Sequence, residues 1–411
     1  MKPSASELQE MRCSLGASAQ QHLSEAIRRI VEAKKRGGKI IAITGSGPNI
    51  HEGVTTQIAE LIAKGLIDGV ITSSAVIAHE MAGTLDRVKR IPIEKDEGLP
   101  LPNNMLPRGR IFEITVLTDR ARAEMEQEFA HGWDLYDSMA GRPGDIVMKA
   151  AGNMAWPMGL RTERVAREVR DAASQHGVLL EHFAGLGASP WTMIGAAARK
   201  GIPVVVSIPQ LVGGGAVGLA IGDTVPLARR AREIAAMLNG ADVIIESAIA
   251  LSQEIHDGPF ETYTGHGIWA AWDHLPTYSL EGKTLIRIDL DSNLEHAWNL
   301  ERSDAEVQNA VNRGLPKAKR TGIPFRMEMS GFARLESSIP VTGDIGCVWP
   351  LIASALQEQL DTPLDFISAP QESAHGRRVR NWIADEVTYL DRLEMYRKAK
   401  QMFARRHESG Q

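Results

Sequence analysis

Between Lys39 and Ser74 the chain runs through a short apolar segment, a glycine-rich turn, a helical stretch and a second apolar segment. KIIAIT (Lys39 to Thr44) is too short for a buried helix and reads as a buried strand. GSGPNIHEG (Gly45 to Gly53) follows as a turn, VTTQIAELIAKG as a helix, and GVITSS (Gly69 to Ser74) as the next strand. Strand, turn, helix and strand in this compass define a βαβ unit, whose two strands must be parallel. That constrains the rest of the chain to cover both faces of a growing sheet.

The grammar recurs. GVLLEHF (Gly177 to Phe183) reads as a strand, with GASPWTMIGAAARKG as the helix after it. IPVVVSIP is another strand, followed by GGGAVG (Gly213 to Gly218) and the helix PLARRAREIAAMLNGA. ADVIIESA and TLIRIDLDSN (Thr284 to Asn293) are further strands, and PVTGDIG opens the helix CVWPLIASALQEQL. Apolar, β-branched runs alternating with helices predict an α/β, doubly wound, mostly parallel sheet. Residues from about 17 to 36 form an amphipathic helix ahead of it, ended by Gly37-Gly38.

The expected organisation is an N-terminal helical segment (1–36), a first part of the α/β domain (37–93), an insertion or small subdomain over one edge of the sheet (94–176), the remainder of the domain (177–365) and a helical tail (366–411). The insertion holds a Pro-rich loop, one strand-like run (IFEITVL) and a helical stretch (ARAEMEQEFAHGWDLYDSM). The tail reads as a docking or oligomer helix, and no internal repeat is present.

Composition narrows the partners. Of 411 residues, aromatics are only 5% and the formal net charge is -5, which gives no general attraction to nucleic acid or anionic lipid. Two cysteines, Cys13 and Cys347, form no CxxC pattern, so neither a disulfide framework nor a cysteine zinc site is expected. The N-terminus lacks the apolar region of a signal peptide and no apolar stretch has membrane-spanning length, which makes a cytoplasmic location the expectation. Neither a GxSxG elbow nor a GxxxxGK[ST] loop occurs, disfavouring serine hydrolases and P-loop NTPases. HDGPFETYTGHGIWAAWDH (His256 to His274) has no metal-ligand spacing and reads as a substrate-facing loop or a packed hairpin.

Candidate site residues cluster where strands end. Gly45, Ser46 and Gly47 let backbone approach a phosphate, or serve packing alone. His51 is a base facing a ligand or a polar loop residue. Ser73 and Ser74 end the second strand; a helix starting there puts His79 and Glu80 in its early turns, with Glu80 favoured by the dipole. Asp289 and Asp291 end another strand, where an acid can accept both hydroxyls of an adenosine ribose, or cap the next helix. Ser207 precedes the glycine run, which is a mobile lid or a backbone cradle. Glu246 sits at the equivalent edge, and so does Asp344, a cofactor contact or a helix N-cap.

Four of these segments, GPNIHEG, SSAVIAHEMAGTL, TLIRIDLDSN and TGDIGCVWPLIASAL, resemble in order the ornithine cyclodeaminase domain of bifunctional arginine dihydrolases and its archaeal LOR/SDH-like relatives. The resemblance spans residues 37 to 93 and 177 to 360. It implies a Rossmann-like, deoxyhypusine synthase-like fold, NAD as cofactor, and a homo-oligomer (dimer or tetramer) acting on a small molecule. The implied activity is hydride transfer at an amine- or hydroxyl-bearing carbon of an amino acid or amine, with elimination or cyclisation. In that scheme Gly45, Ser46, Gly47, Asp289, Asp291 and Asp344 hold the cofactor, and Ser73, Ser74, Ser207 and Glu246 contact substrate. His51, His79 and Glu80 move protons. RTGIPFRMEMSG carries no Trp-Gly-Lys of the synthases, and PQLVGGG replaces the relatives' acidic Asp-Gly motif. An aminoalkyl transferase and a non-catalytic metabolite-binding regulator are the alternatives.

Overall fold

The computed structural model describes residues 1–45, 47–93, 110–248, 260–263, 265–290, 296, 299–300, 303–315, 319, 322 and 337–408. Ser46 and Asp291 lie outside the described residues, as does part of the His256–His274 stretch.

Two helices, α1 (Ala5–Ser14) and α2 (Ala17–Lys35), lead into β1 (Ile40–Thr44). A single-turn helix α3 (Pro48–His51), then α4 (Val54–Ala63), β2 (Gly69–Thr72) and α5 (Ser74–Met81) complete the βαβ unit. After a second, smaller module come α8 (Met158–Gln175), α9 (Leu180–Gly185), α10 (Met193–Lys200) and β6 (Val204–Val206). Next are α11 (Ala216–Gly222), α12 (Leu227–Asn239), β7 (Val243–Ser247), α13 (Ile268–Trp272), β8 (Thr284–Asp289) and α14 (Ala305–Asn312). The chain closes with β9 (Ser338–Thr342), α15 (Ile345–Gln359), α16 (Ala374–Glu386) and α17 (Arg392–Glu408).

The main sheet runs β6-β2-β1-β7-β8-β9, every neighbouring pair parallel. Counted within this sheet the order is 3-2-1-4-5-6, that of a doubly wound Rossmann fold, and the strand order reverses between β1 and β7. Both faces are covered, as all-parallel sheets require. Ile40 and Ala42 face a large core that includes Leu23 and Ile30 of α2, Ile58 of α4 and Trp349 of α15. Ile41 and Ile43 face a second core with Ile234 and Leu238 of α12, Tyr278 and Leu280. The alternation follows from the two-residue period of a strand.

One expected strand is a helix. GVLLEHF forms α9 from Leu180, after Gly177 (φ 59°) has ended α8. Buried Glu181 decides the matter: its carboxylate accepts Val206 N at 2.8 Å and pairs with Arg230 of α12 at 2.5 Å. A helical turn holds that carboxylate against β6 while Leu180, Phe183 and Ala184 stay in the core.

The second module is an antiparallel sheet, β4-β3-β5, from β3 (Leu85–Pro92), β4 (Ile111–Thr115) and β5 (Asp145–Ala150). Its first strand starts at Leu85, ahead of residue 94, whereas α8 packs against α9 and α11 of the main layer. The helical stretch from Ala121 to Met139 is broken into α6 (Asp119–Glu128) and α7 (Trp133–Ala140), Gly132 (φ 100°) standing between them. A small core of Ile91, Ile114, Tyr136 and Met139, with Trp133 and Trp156 at its margin, holds the module together. In the tail, α16 packs on β3 and α17 on α9. Among the described residues, no helix is long and apolar enough to cross a membrane.

Candidate active site

In a sheet of this order, ligands bind outside the carboxyl ends of the strands at the point where the order reverses. Here that point lies between Thr44 of β1 and Ser247 of β7, which are register partners. Gly47, after β1, has φ 58° and ψ -104°, a backbone state that side-chain-bearing residues avoid. A Cβ built there would meet nothing within 4 Å, so backbone conformation and not packing requires the glycine. The turn is anchored across the reversal point: Asn49 Nδ2 donates to the Ser247 carbonyl at 3.2 Å, and the Ser247 hydroxyl bonds to Asn49 Oδ1. Trp349 Nε1 donates to Ser247 Oγ at 2.8 Å. Asn49 is thereby fixed across the reversal point, and the open space at Gly47 fits the approach of a phosphate.

A cleft of about 490 Å³ lies between α5, α8 and the loop after β5, lined by His79, Asn153, Trp156, Glu163 and the backbone of Gly213 to Gly215. Ser73 N-caps α5, its Oγ accepting Val76 N. Ser74 Oγ accepts Gly214 N at 2.8 Å and donates to the Gln210 carbonyl at 2.8 Å. A Cβ on Gly214 would lie 2.7 Å from the Ser74 carbonyl carbon and oxygen. The glycine run therefore belongs to a tight backbone packing against the start of α5. Ser207, at the end of β6, is buried, and its N–H donates to the Thr72 carbonyl at 2.8 Å.

His79 sits in the last turn of α5, with Nδ1 2.6 Å from the Ala151 carbonyl oxygen. A carbonyl only accepts, so Nδ1 carries the proton and Nε2 is the lone-pair nitrogen of the neutral ring. Burial holds the His79 pKa below its ordinary value, outweighing that hydrogen bond. His51, at the end of α3, is also held low, by burial and then by the positive charges of Arg380, His79 and Lys149. Arg380, from α16, reaches His51 Nδ1 at 3.4 Å.

Glu80 is in the last turn of α5, not an early one, and is fully buried. Its two oxygens accept Met193 N (2.8 Å) and Ile194 N (3.0 Å), so it sits at the start of α10 and faces the core. Burial pushes its pKa up to about 7 against those two bonds. Glu246 is buried on the opposite face of the sheet, 3.2 Å from Arg287 of β8. Burial and the neighbouring Asp289 push it to about 7 despite Arg287. Asp289, the last residue of β8, lies two strands from β1 on the side away from β2. In the usual placement, an adenosine-ribose acid ends the strand beside β1 on the β2 side, where this chain has Ser73 and Ser74. Asp344 N-caps α15, Oδ1 accepting Gly346 N at 2.9 Å.

The structure thus sets His51 near His79, places Gly45 and Gly47 in the turn after β1, and sets Glu80, Glu246 and Asp289 apart. It adds three residues that sequence patterns did not single out. Among the described residues, Asp86 of β3 has a single weak bond, from Gly152 N (3.4 Å), and burial pushes it to about 7. Glu52 accepts Gln371 N at 2.7 Å and Gln371 Nε2 at 2.6 Å, and burial pushes it to about 7 as well. The third is Arg380, 329 positions from His51, with no local pattern to mark it.

The fold and this edge define a Rossmann-type α/β protein with a glycine turn at the strand-order reversal and a cleft beside α5. Among solved structures, the chain is similar to AgrE in its ternary complex with ornithine and NAD+, at 15% identity and TM-score 0.39, over 88% of this chain and 34% of that one. ArgZ, an arginine dihydrolase from the ornithine-ammonia cycle in cyanobacteria, matches at 13% identity and TM-score 0.37, over 84% and 32%. A conserved LOR/SDH protein from Methanococcus maripaludis S2 matches at 13% identity and TM-score 0.35, over 88% and 69%. The chain spans about a third of the length of AgrE and ArgZ. No protein-family model matches it, and neither does any curated protein.

Proposed function

We propose that this protein is an NAD-dependent enzyme acting on a small amino acid or amine, through transient hydride transfer at the amine- or hydroxyl-bearing carbon. The observation that carries the reading is the glycine turn after β1, locked to Ser247 at the reversal point with open space above Gly47. Gly45, Ser46 and Gly47 would hold the pyrophosphate. When bound, the nicotinamide accepts and returns a hydride, which makes the oxidised carbon electrophilic.

The chain's own groups then bind, orient and move protons. His79, with a free Nε2 on the cleft wall and a pKa held low, is suited to take a proton from a substrate amine or hydroxyl near neutral pH. Trp156 and the backbone of Gly213 to Gly215 wall the cleft and limit water. The particular outcome, ornithine cyclodeaminase-like elimination and cyclisation, is the version that the motif order suggests, with a homo-oligomer in the cytoplasm as its setting. Calorimetric titration of the full chain with NAD+ and NADH tests the cofactor. A screen of basic amino acids and polyamines for ammonia release then tests the reaction.

A further inference from the structure

The helical tail brings a cation to the candidate site. Arg380 of α16 lies against α3 and β5, its Nη2 3.4 Å from His51 Nδ1 and 3.5 Å from the Met148 carbonyl oxygen. Its Nε is buried without a hydrogen-bond partner. Among the described residues, no carboxylate forms an ion pair with it. The acid whose charge it feels is Glu52, but both Glu52 oxygens are bonded to Gln371 and burial pushes that acid to about 7. At neutral pH the compensating charge is thus only partly present. Lys149, whose positive charge also acts on His51, is already bonded to Glu113 at 2.6 Å. A partly buried guanidinium without a matching anion is costly to hold, and bringing one in would relieve that cost.

The donors match a specific kind of anion. Because arginine only donates, His51 Nδ1 is the acceptor, which leaves Nε2–H of the neutral ring as a second donor. One fixed positive charge and a neutral N–H suit a singly charged, planar group; a phosphate dianion would keep one charge unmatched. We propose that Arg380 and His51 form a carboxylate-binding subsite for the substrate, near His79 where α16 meets the end of α3. That the carboxylate belongs to a substrate rests on the function proposed above; the subsite itself does not. With its carboxylate held here, an amino acid would direct its α-carbon toward His79, the proton-moving group.

The test uses the full-length protein labelled with ¹³Cε1-histidine, without dinucleotide, titrated at constant ionic strength with sodium acetate and, separately, with sodium phosphate. The expected result is a saturable shift of the His51 signal with acetate, weakened at least about tenfold in Arg380→Gln and partly kept in Arg380→Lys. His51→Gln, followed through the His79 signal, should weaken acetate as well, which guards against a fold defect confined to α16. Three results would overturn the proposal: no saturable shift in the wild type, unchanged acetate affinity in Arg380→Gln, or saturation by phosphate alone. Acetate binding in a protein that binds neither NAD+ nor NADH would leave the subsite standing and remove the cofactor reading. Dinucleotide binding with no acetate response would do the reverse.

Discussion

His79 donates its Nδ1–H to the Ala151 carbonyl oxygen at 2.6 Å, joining the helix after β2 to the loop after β5. One bond thereby ties the small antiparallel module to the main sheet and presents Nε2 as a base. Replacing His79 with alanine should lower turnover about 100-fold or more, since that is the usual worth of general acid–base help. Wild-type kcat/KM should fall as pH drops below the ordinary histidine range, because the low pKa keeps the ring neutral until then. Steady-state kinetics of both proteins from pH 5 to 9 check this; equal rates within a few-fold would make His79 structural.

Glu80 holds the start of α10 from inside the core, and its effect should be on stability alone. Glu80→Ala leaves two buried N–H groups unpaired and should cost about 2–4 kcal/mol, read as a lower urea midpoint. Dinucleotide affinity should not change. A mutant of full stability would contradict the role.

Glu181 and Arg230 form a fully buried pair, so removing one partner strands the other. Arg230→Met should destabilise by about 3–5 kcal/mol, and Glu181→Leu combined with it should recover part of the loss, since Val206 N still loses its acceptor. Urea unfolding of the two single variants and the double variant measures the coupling. Additive losses would show the pair to be unlinked.

Asp86 gives a pH signature. Its folded pKa of about 7 lies above the unfolded value, so its contribution to stability is complete below pH 3.8 and is lost as pH rises through 7. Asp86→Asn removes that loss. Relative to wild type the variant should gain about 1 kcal/mol or more between pH 5 and 8.5. Melting curves at the two pH values suffice, and parallel behaviour would refute the shifted titration.

The sheet was legible because its strands are short, apolar and β-branched, and because glycines punctuate them; KIIAIT, IPVVVSIP and ADVIIESA each hold a strand. GVLLEHF failed the same test, since an apolar run of that length does not separate strand from helix. The distinction lay in Glu181 reaching Arg230, a contact across 49 residues. LDRVKRIP and DIVMKA form β3 and β5 without a clear apolar period, because alternating charges on half-exposed antiparallel strands blur it. Gly47 and the two histidines were legible as candidates from their place after strands, and the structure puts them in the turn after β1 and at the ends of α3 and α5. Glu80 could not be assigned, since the pattern places it on a helix without saying which helix end its carboxylate meets. Arg380 is a property of tertiary packing alone.

The central claim is that the turn at Gly45 to Gly47 binds a nicotinamide dinucleotide. Calorimetric titration of wild type and Gly47→Ala with NAD+ and NADH tests it most directly. At φ 58° and ψ -104° an added Cβ meets no neighbour but strains the backbone, so the fold should survive while the turn shifts. The account predicts saturable binding by the wild type and affinity reduced at least about tenfold in Gly47→Ala. Absence of binding to either form by a folded wild-type protein would contradict it.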